Sequence, residues 1–390
     1  MNNLGYYKVN NKIFFEKIEA ILYANQTLSD IEWFFHDETF SKVDWTVEPT
    51  TSLDEFYRLR AQQIRDNYDY VIVMCSGGAD STNVVKSFLD NGIHVDEIVA
   101  SAPISGLNNH VYNNKNTDAG NTMSETKYAQ LPLLDEISTK YPNVKITLND
   151  YFYDIVNYKT DEWIYKCGEW IHPTSASRYN LEKFTHIKNL AESGKRIGIV
   201  YGIDKPVIVQ DEDNNIQYVM SDLAVNVPRP PFDIAYPNVE IVLFYWAAEM
   251  PLMMVKQSHV LTKWLYNPEN ARVKCYMRNN AVADYTTFEQ NRLRHSVYER
   301  AIVPCIYPTT HRLIFQGQKP TRMFLGEHDD WFYKLHNNTK IYQQIESDFF
   351  HFIKNINEKY LNVPRTGFIL CTTRYKIGTV DQFTGAQGQI

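Results

Sequence analysis

Two kinds of spacing alternate through the middle of this chain. Between residues 67 and 225, apolar runs of strand length ("YVIVMC", "VDEIVAS", "VKITLN", "RIGIVYG") are separated by stretches in which apolar positions recur at helical spacing, over 80–91, 126–140 and 176–193. Strands that are apolar throughout are covered on both faces, and strands joined by helix-length crossovers pair in parallel. The pattern predicts an α/β fold built on a parallel sheet with crossover helices. "DKPVIVQDEDNNIQYVMSDLAV" then carries two β-rich runs around the turn-forming "DEDNN", which predicts a hairpin. Residues 1–66 show amphipathic helical spacing at 13–24 and 53–66 and read as a small leading subdomain or cap. From about residue 240 the chain reads as mainly helical, with "IVLFYWAAEMPLMMVKQSHVLTKWL" its most apolar segment, and the polar tail "DQFTGAQGQI" is expected to be mobile. The implied organisation is 1–66, 67–265 and a mainly helical 266–390.

Composition narrows the function classes. With 390 residues and 44% hydrophobic content the chain can bury a large core. Its 39 Lys and Arg are outnumbered by 46 Asp and Glu, giving a net charge of -7 with no basic stripe, so binding to a nucleic-acid backbone is disfavoured. The cysteines Cys75, Cys167, Cys275, Cys305 and Cys371 form no CxxC pair, which points to reduced thiols in a cytoplasmic setting and away from structural zinc. The leading "MNNLGYYKVNNKIFFEKIEAILYA" mixes Lys and Glu among its apolar residues and reads as neither a signal peptide nor a membrane span.

The chemistry concentrates where the first predicted strand meets the first crossover helix, at "SGGADS", residues 76–81. Backbone N–H groups at a helix N-terminus favour an anion, and paired glycines let a phosphate approach the backbone closely. Ser76, Ser81 and Thr82 add hydroxyls, Ala79 is a further small residue of the candidate phosphate loop, and Asp80 is suited to hold Mg²⁺ or to cap the helix. A plain Gly-Gly turn with an aspartate cap is the alternative; the strand before, the helix after and the flanking hydroxyls favour phosphate. Neither GxxxxGK[ST] nor GxGxxG is present, so the commoner nucleotide loops do not apply.

With Ser76, Gly77, Gly78, Asp80 and Ser81 in place, the loop resembles the SGGxDS signature of the PP-loop ATP pyrophosphatases. That resemblance implies ATP bound on a doubly wound sheet and cleaved between its α- and β-phosphates. Two further stretches are similar to the synthetase domain of asparagine synthetases: "SETKYAQLPLLDEI" at 124–137, and "SASRYNLEKFTHIKNLAESGKRIGIVYGIDKP", whose strand ends in a Gly-x-Asp turn. By this likeness Gly202 and Asp204 lie at a strand's carboxyl end, with Asp204 a second metal or pyrophosphate-side carboxylate beside Asp80. Ala100 and Ser101 would meet the nucleotide through their backbone. The family continues its turn with an acid, whereas Lys205 and Pro206 follow here; a lysine there is a candidate point charge for the β- and γ-phosphates. The glutaminase domain of the glutamine-dependent enzymes has no counterpart, since residue 2 is Asn2 and the first cysteine is Cys75.

Weaker candidates follow. Arg178 falls in a predicted first helical turn, where a cation needs an anion, and is a candidate for phosphate or a substrate carboxylate. His172 reads as a turn residue, and the Asn-rich 106–123 segment, with Lys115, reads as a lid or substrate loop. Arg312 and Lys319 are further cations, and the 327–330 acidic cluster reads as a solvated turn. The expectations are therefore an ATP- and Mg²⁺-dependent ligase adenylating a small acceptor for attack by ammonia or an amine, with or without a separate amidotransferase. Sulfur transfer or base modification, and a non-catalytic nucleotide-binding protein, are the alternatives. The sequence does not choose an oligomeric state.

Overall fold

A computed structural model of the chain describes residues 4–102, 104–105, 126–150, 185–222, 236–277, 297–298, 300–307 and 370–385. Its strands are β1 (Tyr6–Val9), β2 (Lys12–Phe14), β3 (Ile31–Phe34), β4 (Tyr70–Met74), β5 (Glu97–Ala102), β6 (Lys145–Asp150), β7 (Ile197–Tyr201), β8 (Val207–Gln210), β9 (Asn215–Val219), β10 (Val239–Leu243) and β11 (Tyr375–Thr379). The principal helices are α1 (Lys17–Thr27), α2 (Leu53–Asn67), α3 (Ala79–Leu89), α4 (Leu131–Lys140), α5 (Thr185–Glu192), α6 (Pro251–Tyr266), α7 (Arg300–Ile306) and α8 (Val380–Thr384).

The central sheet has the order β10-β7-β4-β5-β6, with every neighbouring pair parallel. Alternation along β4 sends Val71 and Val73 to one face, in an apolar cluster with Ile64 of α2, Val84 and Phe88 of α3 and Ile137 of α4. Ile72 points to the other face and packs with Val99, Ile199 and Val239 against Ile187 and Ala191 of α5. Helices thus cover both faces, which is why the strands are apolar at successive positions. This is an α/β architecture compatible with double winding.

Strand order fixes where a ligand can enter. From β4 the chain moves outward through β5 to β6, then returns to place β7 on β4's other side, with β10 beyond it. Direction reverses between β4 and β7, and in open parallel sheets the crevice outside the carboxyl ends at such a switch point is where ligands bind. The 76–81 loop follows β4, and the 202–205 turn follows β7.

Two smaller antiparallel sheets stand beside the large one. β2-β1-β3 comes from the N-terminal region; β11-β9-β8 joins the expected hairpin to a strand near the C-terminus. Trp45 stacks on both Tyr218 of β9 and Tyr375 of β11, with centroid separations of 4.9 and 4.8 Å. Each such aromatic pair adds about 0.5–1.5 kcal/mol beyond its area burial.

Three expectations change. Helical spacing at 13–24 gives way to β2 followed by α1, because Lys12 and Ile13 pair with β1 and only Phe14 is buried there. The region from 240 onward is not uniformly helical: β10 is an apolar edge strand of the parallel sheet, and α6 starts at Pro251, a residue preadapted to a helix's first turn. Near the tail, Thr379 and Gln382 form a reciprocal capping box that starts α8. The 106–123 loop with Lys115, and Arg178, His172, Arg312 and Lys319, lie outside the described residues, as does the 327–330 cluster.

Candidate functional site

The 76–81 loop is a tight local structure before it is anything else. The Ser76 N–H donates to Ser81 Oγ at 3.2 Å, the two serine hydroxyls are 3.3 Å apart, and Gly78 N–H donates to Ser76 Oγ at 3.3 Å. Ser81 Oγ and Thr82 Oγ1 donate back to the Gly78 and Gly77 carbonyls. The hydroxyls expected to meet a phosphate therefore first brace the turn. Gly78 is the N-cap of α3 and no side chain caps it, so Asp80 is not the cap; it lies within the first turn, where the helix dipole favours a carboxylate.

The glycines have specific jobs. Gly77 sits at φ +79, and a Cβ there would lie 2.4 Å from the Gln130 backbone. Its requirement is thus met by the protein itself: the Thr126–Gln130 segment packs on the turn, and Gln130 Nε2 donates to the Cys75 carbonyl at 2.8 Å. Gly202 does the same from the other strand, since a Cβ would come within 2.9 Å of the Asp80 carbonyl group. Only glycine lets the end of β7 touch the first turn of α3.

Asp80 is the centre of the arrangement. Its Oδ2 accepts from Lys205 Nζ at 2.5 Å, and its Oδ1 accepts from the Tyr307 hydroxyl. The Lys205 and Asp80 side chains are 13% and 17% exposed, so the pair is largely covered yet still reached by solvent. Tyr245 donates from its hydroxyl to the Asp80 main-chain carbonyl at 2.9 Å and accepts from Asn83 Nδ2 at 2.9 Å. Tyr245 and Tyr307 stack at 5.1 Å. Burial first, and the nearby Asp80 charge after it, push both phenols well above the ordinary tyrosine range, so both remain protonated donors.

The remaining sequence candidates fall as follows. Asp204 accepts the Lys205 N–H at 2.7 Å, and its charge acts on the buried Tyr218 phenol. Ala100 is buried on β5, whose 97–102 pairing with β6 outruns its pairing with β4; Ser101 accepts from Asn149 Nδ2 at 3.2 Å. Sequence reasoning missed Tyr307 and Tyr245, which bear no motif and reach the loop from distant parts of the chain; Gln130 lies within the "SETKYAQLPLLDEI" stretch, where no role was assigned to it. Nothing in "AIVPCIYP" marks Tyr307 as a neighbour of Asp80.

Fit to the expected ligands is uneven. Loop, switch point and lysine suit a phosphorylated ligand. Magnesium needs hard oxygens and takes one or two carboxylates together with phosphate oxygens. Asp80 has the right chemistry, but both of its oxygens accept from the chain's own donors, and an ammonium stands at Oδ2. Among the described residues no three His, Cys, Asp or Glu side chains are grouped to hold a metal ion. As arranged, Asp80 does not fit the role of metal ligand.

A second polar cluster lies at the sheet's amino end. Buried Glu97, the first residue of β5, accepts from Thr147 Oγ1 at 2.5 Å and Tyr70 at 3.0 Å, and pairs with His186 at 2.8 Å and Lys145 at 3.2 Å. Burial would raise its carboxyl, but the Thr147 and His186 hydrogen bonds and the charges of His186 and Lys145 outweigh that and hold it below the ordinary range. Its partners join β4, β5, β6 and α5, which is a structural tie.

No helix among the described residues is long and apolar enough to cross a membrane. No family model, curated protein or solved structure matches the chain.

Proposed function

We propose that the chain is a PP-loop ATP pyrophosphatase that activates a small acceptor by adenylation. A carboxylate or carbonyl oxygen of the acceptor attacks the α-phosphorus of ATP, the bond to the bridging oxygen of the β-phosphate breaks, and pyrophosphate leaves. Ammonia or an amine then attacks the activated carbon; AMP departs with its bonding pair, and the nitrogen gives up a proton. The observation that carries this reading is the meeting, at the switch point of a parallel sheet, of "SGGADS" after β4 with the Gly202 to Lys205 contact on Asp80 after β7.

The chain's own residues supply the electrostatics of such a step. Backbone N–H groups at the start of α3 and the Lys205 ammonium face the charge that develops on departing pyrophosphate, and donors already in place need little reorganisation. Magnesium, carried on the phosphates of ATP, would supply further Lewis-acid charge there. No side-chain nucleophile is required.

Sulfur transfer gains no support from the described cysteines. Cys75 precedes the loop but is buried in the apolar core, and burial pushes the Cys305 thiol up to about 12, away from thiolate. The test is ATP labelled at the α-phosphate, with Mg²⁺ and a panel of carboxylates and amines. Acceptor-dependent AMP and pyrophosphate are expected. No release and no ATP binding across the panel would overturn the proposal.

A further inference from the structure

Asp80 is held from two sides by parts of the chain that no local pattern connects. Tyr307 is 227 positions away and caps the end of α7. Its position is set in turn by Tyr57 of α2, which donates to the Ile306 carbonyl at 2.6 Å, and by Gln257 of α6, which donates to the Tyr57 hydroxyl at 2.8 Å. The Tyr307 ring is fully buried against Tyr245, so its hydroxyl has little freedom to turn elsewhere. With Oδ1 fixed by that phenol, Oδ2 is the oxygen left to face Lys205.

We propose that Tyr307 is a positioning residue of this site: by fixing one oxygen of Asp80 it holds the other on Lys205, and Lys205, instead of a metal ion on Asp80, is the cation the loop presents to a pyrophosphate group. The ligand rests on the ATP reading above; the geometry does not. An arriving phosphate meets a cation already aimed at the loop, and its greater negative charge competes with Asp80 for that cation.

The experiment uses the full chain as wild type, Tyr307→Phe, Asp80→Asn and Lys205→Met. Limited amine acetylation, read peptide by peptide in a mass spectrometer, reports how tightly Lys205 is held. Tyr307→Phe keeps the stacked ring and should raise Lys205 labelling about three- to tenfold, the size of one ordinary net hydrogen bond. Lys86 and Lys256 should label as in wild type, because a general loosening would raise all three. Unchanged Lys205 labelling in Tyr307→Phe, with a rise in Asp80→Asn, would overturn the positioning role. Calorimetry with inorganic pyrophosphate in EDTA is the second arm: wild type should bind, and Lys205→Met should bind at least about tenfold more weakly. Binding that needs Mg²⁺ and is indifferent to Lys205→Met would overturn the lysine's role, whether or not Tyr307→Phe folds. Labelling as expected, with no pyrophosphate bound in either EDTA or Mg²⁺, would support the positioning unit and overturn the phosphate reading.

Discussion

Among the described residues, the same three side-chain types, an aspartate, a lysine and a tyrosine, meet in two places worth comparing. Asp222 pairs with Lys17 at 2.6 Å and accepts from the Tyr7 hydroxyl at 3.1 Å; Asp80 pairs with Lys205 at 2.5 Å and accepts from Tyr307. The first trio is sealed, with both charged side chains 0% exposed, and the Leu370 N–H supplies another hydrogen bond to Asp222 at 3.0 Å. Burial pushes the Asp222 carboxyl up against the pull of the Lys17 ammonium. That trio ties α1, the end of the hairpin and the C-terminal return together, and no solute can reach it. The second trio lies where strand order reverses and keeps part of each charge in contact with solvent. Identical chemistry is thus a rivet in one place and a candidate binding site in the other. Access and position in the sheet make the difference.

The largest effect expected is at the open trio. Asp80→Ala should lower acceptor-dependent release of AMP and pyrophosphate by about a thousandfold, as loss of a preorganised charge does, while circular dichroism shows the fold retained. Near wild-type turnover would remove the functional half of the contrast. Next come the two lysines. Lys17→Met leaves Asp222 buried without its cation and should cost about 3–5 kcal/mol in urea unfolding, and adding Asp222→Leu should recover most of that. Lys205→Met should cost about 1 kcal/mol or less, because water reaches Asp80. Equal losses at the two sites would erase the distinction between sealed and open. Tyr7→Phe should cost about 1.5–3 kcal/mol, the value of one hydrogen bond to a charged group, and the same melts measure it.

The smallest effect concerns a buried histidine of α6. His259 hydrogen-bonds the Trp45 carbonyl at 2.9 Å, and burial, the largest influence, lowers its pKa below the ordinary 6.5. The unfolded chain therefore takes up the proton first as pH falls, so stability should decline as pH drops below 6.5 toward the folded value. His259→Gln should flatten that part of the pH profile; an unchanged slope would place the charging group elsewhere.

What could be read beforehand was local. β4, β5 and β7 announce themselves because burial on both faces leaves an unbroken apolar run, and the hairpin shows in the polar turn between two β-rich runs. The "SGGADS" loop was legible for the same reason: six adjacent residues specify a turn, a helix start and a charge. Lys205 stands out in the sequence as a departure after Gly-x-Asp and as a candidate point charge for phosphates, but nothing local says that it reaches Asp80, 125 positions earlier. The apolar run of β10 has no period of its own and so falls within the stretch expected to be mainly helical; pairing with β7 decides the matter.

The sequence by itself determined the inner strands and crossover helices of the central sheet, the loop and the charges placed in it, since backbone preference and periodicity act over a few residues. The tertiary structure alone decided which aspartate is sealed and which is reached by water. It also decided that a tyrosine without any motif fixes Asp80, because those contacts join residues more than 200 positions apart and are made only when the layers close.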